Sequence, residues 1–67
     1  MKILLEKVTD VRDFVEVASQ LTDDITVKSE DGRYQVDGKS LLGLFSLDLS
    51  KPLEVLNYPE FVRFATV

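Results

Sequence analysis

Ile3 and Leu5 alternate with Lys2, Leu4 and Glu6, a period-two pattern that predicts a short first strand facing the core at Ile3 and Leu5. The period then changes. Val11, Phe14, Val15, Ala18 and Leu21 recur at helical spacing, with Arg12, Asp13, Glu16 and Gln20 on the opposite side. Thr9 or Asp10 is the expected cap, and Asp10 and Asp13 lie near the positive helix end. Thr22-Asp23-Asp24 breaks the pattern. Ile25 to Lys28 and Tyr34 to Val36 alternate again around Glu30-Asp31-Gly32-Arg33, and an Asp-Gly pair between two such runs predicts a hairpin. Both turn residues tolerate positive φ.

Asp37-Gly38 ends the second hairpin strand, and Ser40 is the expected N-cap of a second helix reaching Leu47. Asp48 to Lys51 reads as a loop. Pro52 introduces a last strand in which Leu53 and Val55 face one way. Pro59 suits the first turn of a final helical segment, with Phe61, Val62 and Ala65 on its inner face. That segment is about seven to nine residues long and depends on packing. Tyr34 and Tyr58 read as half-buried sheet residues. The order is β-α-β-β-α-β with a short α ending. It predicts an α+β open-faced sandwich, an antiparallel four-stranded sheet with its helices on one face, in a single domain over residues 1–67.

The second helix carries more apolar side chains than a core contact needs. A helix of about two turns buries roughly three or four of them, yet Leu41, Leu42, Leu44, Phe45 and Leu47 cover most of its circumference. Leu44 and Leu47 suit the inward face. Leu41, Leu42 and Phe45 fall on a neighbouring face, a candidate docking patch flanked by Lys39, Asp48 and Lys51. Gly43 permits close approach of the sheet or of a partner, and Gly38 serves the turn.

Composition narrows the chemistry. The 67 residues contain no histidine and no cysteine, so disulfides, thiolate zinc sites, the commonest metal ligand and the commonest general base are all missing. An enzyme built on Lys7 or a carboxylate is a remote reading; the chain is expected to be non-enzymatic and without cofactors. Asp23-Asp24 and Glu30-Asp31 fit a helix exit and a hairpin turn better than a cation loop, which spaces its oxygens at alternating positions. Twelve acidic residues against eight basic ones give a net charge of −4, which disfavours nucleic acid and anionic membrane surfaces as partners. No apolar run approaches the roughly 18 residues of a membrane span. Met1 to Leu5 is too short for a signal-peptide core, so cytoplasmic residence is expected.

Phe14-Val15 with Leu21 to Ser29, and Lys39-Ser40-Leu41-Leu42-Gly43-Leu44-Phe45-Ser46-Leu47, together resemble the histidine-containing phosphocarrier protein (HPr) family of the bacterial sugar phosphotransferase system. The resemblance runs from Phe14 to about Leu49. It implies the HPr-like sandwich and makes Ser40 a candidate regulatory phosphoserine. It also implies that Lys39, Leu41, Leu42 and Phe45 bind a protein partner: a phosphotransferase enzyme, a serine kinase or a transcription regulator. The departures are as informative. The family's phosphorylated histidine position falls on Lys7, and its arginine and proline positions fall on Thr9 and Asp10. A lysine amine is protonated at neutral pH and is a poor phosphoryl acceptor. The resemblance therefore implies a binding or regulatory protein that has lost phosphoryl transfer. The alternative is a self-associating structural subunit that uses the HPr-like fold as a scaffold. The family's long last helix is reduced to Pro59–Val67, which leaves open whether dimerisation or a truncated end accounts for the uncovered part of the sheet.

Overall fold

The first helix, α1, spans Val8–Gln20 and buries Val11, Phe14 and Ala18. Its start differs from expectation. Lys7 occupies the extended cap position, Thr9 lies within the first turn, and the Asp10 carboxylate reaches back from the third helical position. There its Oδ2 accepts from the backbone N–H groups of Glu6 at 3.1 Å and Lys7 at 3.0 Å. One anion thus satisfies two free donors at the positive end of the helix dipole. Leu21 caps the other end in extended conformation, so it lies half-buried beyond the helix. The structure, a computed structural model, describes residues 1–66.

Four antiparallel strands form one open sheet in the order β1-β4-β2-β3. They are β1 (Lys2–Ile3), β2 (Thr26–Lys28), β3 (Gln35–Asp37) and β4 (Leu53–Glu54). Ile3, Val27 and Leu53 turn inward and are buried, whereas Lys2, Thr26, Lys28 and Glu54 are exposed on the opposite face. Leu5, Ile25 and Val55 continue the inward set past the ladder ends. The α+β class and the antiparallel four-stranded sheet are as expected, but β1 is shorter, and Glu6 lies outside it. In the β2–β3 turn only Gly32 takes positive φ, at 75°. Asp31 contributes a carboxylate instead, accepting from Ser29 Oγ at 2.6 Å and from the Arg33 N–H at 3.0 Å.

The final segment differs most. Pro59–Phe64 is a 3₁₀ helix, in which residues three apart lie on one side. Phe61 and Phe64 are therefore both buried, while Val62 and Ala65 are exposed, contrary to the α-helical reading. Val67 lies outside the described residues. The Phe61 ring stacks on Phe14 at 4.6 Å, and Phe64 meets Phe14 edge-on at 5.5 Å. Arg63 lies over the Phe64 ring and bonds Asp13 at 3.2 Å. Tyr58 is not in the sheet; it precedes the 3₁₀ helix, half-buried, and its hydroxyl donates to Asp23 Oδ2 at 2.8 Å. The chain then runs along the outer edge of β1. The Leu4 N–H donates to the Phe64 carbonyl at 2.9 Å, and the Thr66 N–H donates to the Lys2 carbonyl at 3.0 Å. Three aromatic side chains and this pairing close the end of the sandwich that the short final helix had left in question.

Candidate functional surface

The approach to the second helix is fixed by a crowded turn. The Gly38 N–H donates to the Ile25 carbonyl at 2.7 Å. A Cβ on Gly38 would stand 2.7 Å from Ile25 Cγ2, so space, not positive φ, demands glycine here. Asp37 holds the next residues, accepting from the Lys39 N–H through its carboxylate and from the Ser40 N–H through its carbonyl. Ser40 is the N-cap of α2 (Leu41–Phe45), and its Oγ accepts from the Gly43 N–H at 3.0 Å.

Helix α2 is shorter than expected. Ser46 caps it, its N–H bonding the Gly43 and Leu44 carbonyls. Leu47 therefore enters the core from beyond the helix. Gly43 faces the sheet: a Cβ there would lie 3.3 Å from Val36 Cβ, so α2 rests close against β3.

The expected binding residues separate into three environments. Leu42 is 82% exposed and Phe45 is 41% exposed, three positions apart on the solvent side of α2. Leu41 is half-buried and packs on the core beside them. Lys39 is also half-buried, and its ammonium donates to the Leu21 carbonyl at 2.7 Å, where α1 ends. That contact satisfies a free carbonyl at the negative end of the helix dipole and joins the two helices. Lys39 thus has a structural task that sequence reasoning did not assign.

Tyr34 also differs from expectation. It is 64% exposed at the mouth of the hairpin, one residue before β3. Tyr34, Ser46, Leu47, Asp48 and Lys51 help line a shallow groove of ≈ 430 Å³ between the hairpin turn and the exit of α2. Two carboxylates on this groove remain ionised into mild acid. Hydrogen bonds from the Ser29 hydroxyl and then the Arg33 amide lower the Asp31 pKa; the Ser50 hydroxyl and then the Ser50 amide lower that of Asp48. The carboxylate pairs singled out in the sequence have local partners, Tyr58 for Asp23 and Ser29 with Arg33 for Asp31.

Among the described residues there is no buried charged side chain, and no cluster of three or more His, Cys, Asp or Glu gathers around a common point. Nor is any helix long and apolar enough to cross a membrane. The surface offers apolar contact area with a charged border and a helix-capping serine at its edge. Comparison with protein-family models, with curated proteins and with solved structures returns no match.

Proposed function

We propose that this chain is a non-enzymatic, HPr-like binding module that docks a protein partner through the solvent side of α2. The exposure of Leu42, on a helix whose Leu44 already supplies the core contact, is the observation that carries this reading. The HPr-like part rests on the element order and on the motifs around Phe14–Ser29 and Lys39–Leu47, without support from the comparisons.

Full burial of a leucine or phenylalanine side chain is worth about 1.5–3 kcal/mol. Leu42 retains most of that free energy for a partner and Phe45 nearly half, so covering both supplies roughly 3 kcal/mol. That corresponds to about a hundredfold in affinity. Ser40 provides a switch. A phosphate on its Oγ would sit at the helix start, where the dipole favours an anion, and would put a dianion beside a patch that a partner must keep dry.

The test compares immobilised wild-type chain with Leu42→Asp/Phe45→Asp. Proteins retained from a lysate of the source cells are identified, and their affinities are then measured with purified components. The expected result is a partner whose affinity falls about a hundredfold in the double variant and about tenfold in Ser40→Asp. Identical retention by wild type and double variant would sink the docking reading. Incubation with phosphoenolpyruvate and the general phosphotransferase enzyme should give no phosphorylated chain.

A further inference from the structure

The two edges of the sheet are treated differently. The outer edge of β1 is occupied by the chain's own residues 64–66. The outer edge of β3 has no strand beside it among the described residues. The ladder between β2 and β3 extends from Tyr34, whose carbonyl accepts from Ser29, to Gly38, whose N–H donates to Ile25. Antiparallel pairing alternates, so Tyr34, Val36 and Gly38 turn their backbone groups toward β2 and Gln35 and Asp37 turn theirs away. The Asp37 carbonyl is taken up by the Ser40 N–H. This leaves the Gln35 N–H, the Gln35 carbonyl and the Asp37 N–H pointing outward from an edge that lacks proline and a bulge.

The surroundings say what chemistry would fit. On the helix side, Tyr34 shares the side-chain parity of the inward Val36, and α2 lies over Val36 at Gly43, next to the exposed Leu42. An added strand would lie about 4.8 Å outside β3. Its inward side chains would then lie on the helix side of the sheet, beside Tyr34. At one end of the edge, a depression holds Asp24 and Asp37 with Lys39, whose ammonium is already bonded to Leu21. At the other end, the groove beside Tyr34 holds Glu30, Asp31 and Asp48 with Lys51. Carboxylates outnumber cations in both depressions, and still do at the hairpin end when Arg33, which pairs with Asp31, is counted; Lys28, cross-strand from Gln35, lies on the open face of the sheet beside Glu54.

We propose that β3 is a strand-addition site for an extended segment of another protein with lysine or arginine at its ends. Its backbone bonds Gln35 and Asp37, and one apolar side chain covers the exposed face of Tyr34. Backbone pairing supplies affinity, and the alternate side chains and flanking cations supply selectivity. This rests on the docking reading above and specifies the form of the partner.

The probe is a fluorescent peptide of alternating valine and threonine flanked by paired lysines, with a glutamate-flanked peptide as its control. In the free protein the Gln35 and Asp37 amides should exchange quickly and the Val36 amide slowly. On binding the lysine-flanked peptide, Gln35 and Asp37 should become protected at least tenfold. The control should bind at least tenfold more weakly at low ionic strength, a gap that narrows in 0.5 M salt. Gln35→Pro removes an outward N–H and no native ladder bond, so the fold persists while peptide affinity falls tenfold or more. Gln35→Ala keeps the backbone and should bind within twofold of wild type.

Peptide binding without protection of Gln35 and Asp37 would overturn strand addition, as would no binding at 1 mM peptide. Equal binding of the glutamate-flanked control would overturn the cationic partner. If the natural partner is lost with Leu42→Asp but kept with Gln35→Pro, docking on α2 stands and strand addition falls. If both variants keep it, both readings fall. Concentration-dependent dimerisation that itself protects Gln35 would make the occupant a second copy, against the proposal.

Discussion

Helix α2 and the 3₁₀ segment Pro59–Phe64 both pack against α1 on the covered face of the sheet, yet they dispose of their apolar side chains in opposite ways. The 3₁₀ segment, six residues long, turns both of its phenylalanines onto Phe14. So short a segment has little stability of its own and must be held by what it buries. Helix α2 is shorter still at five residues, but the Ser40 cap, the approach of Gly43 to Val36 and the burial of Leu44 and Leu47 anchor it. Leu42 adds little to that anchoring and remains available, and Phe45 leaves part of its ring free beside it. An apolar residue on a short helix therefore cannot be assigned to the core by type alone; what matters is whether the segment would hold without it.

The largest effects should fall on the aromatic seam. Phe14→Ala or Phe61→Ala removes a fully buried ring and should cost about 3–5 kcal/mol. Small domains have total stabilities of about 5 kcal/mol, so either variant should be largely unfolded in thermal and denaturant melts. Within α2 the same measurement separates neighbours. Leu44→Ala should cost about 2–5 kcal/mol, whereas Leu42→Ala should stay within about 0.5 kcal/mol of wild type. Equal losses at the two leucines would break the contrast between the segments. Gly38→Ala should fall between them, at about 1–3 kcal/mol, because its new Cβ must displace Ile25 Cγ2.

The elements set by local rules were legible before the structure. Val11, Phe14 and Ala18 announced α1, the Asp-Gly pair announced the hairpin, Ser40 announced the start of α2, and the excess of leucines on that helix announced exposed ones. Features decided by longer-range packing were not. Phe61 and Phe64 fit an i, i+3 spacing shared by α and 3₁₀ turns, and only their joint contact with Phe14 selects the tighter helix. Lys39 read as a surface charge because its acceptor, the Leu21 carbonyl, is eighteen positions away. Tyr34 read as half-buried because a strand's neighbours on each side are not written in its own residues. The difference between the two sheet edges was invisible for the same reason. Asp10 was legible as an acid near the helix start, but not its role: Lys7, three positions before it, is not a capping residue type, so the usual capping-box signature is only half present.

The smallest predicted effects are titrations, and they sharpen the contrast because the two regions should respond at opposite ends of the pH scale. The Asp31 and Asp48 carboxyls, on the side of the hairpin and the α2 exit, are held below their ordinary value of 3.8 by hydroxyl and amide donors. A lowered folded-state pKa means that this contribution is present above the unfolded value and is lost as pH falls through the folded one. Acid should therefore loosen the Ser29–Arg33 turn and the Asp48–Ser50 loop first, and Asp31→Asn should remove the step at the hairpin. Tyr58, on the aromatic side, is raised above 10.0, chiefly because its hydroxyl donates to Asp23. Its contribution is present below that unfolded value and is lost as pH rises through the raised one. Both carboxyls and the hydrogen bond of the Tyr58 hydroxyl are exposed and screened by solvent, so the steps should be small in global stability and visible in local amide exchange. Amides at Gly32 and Ser50 should lose protection only as pH falls below the ordinary carboxyl value of 3.8, and those at Phe61 and Ala65 only as it rises above the ordinary tyrosine value of 10.0. Loosening of both regions together at one pH would mean that they are coupled as one cooperative unit, and the separation drawn between them would not hold.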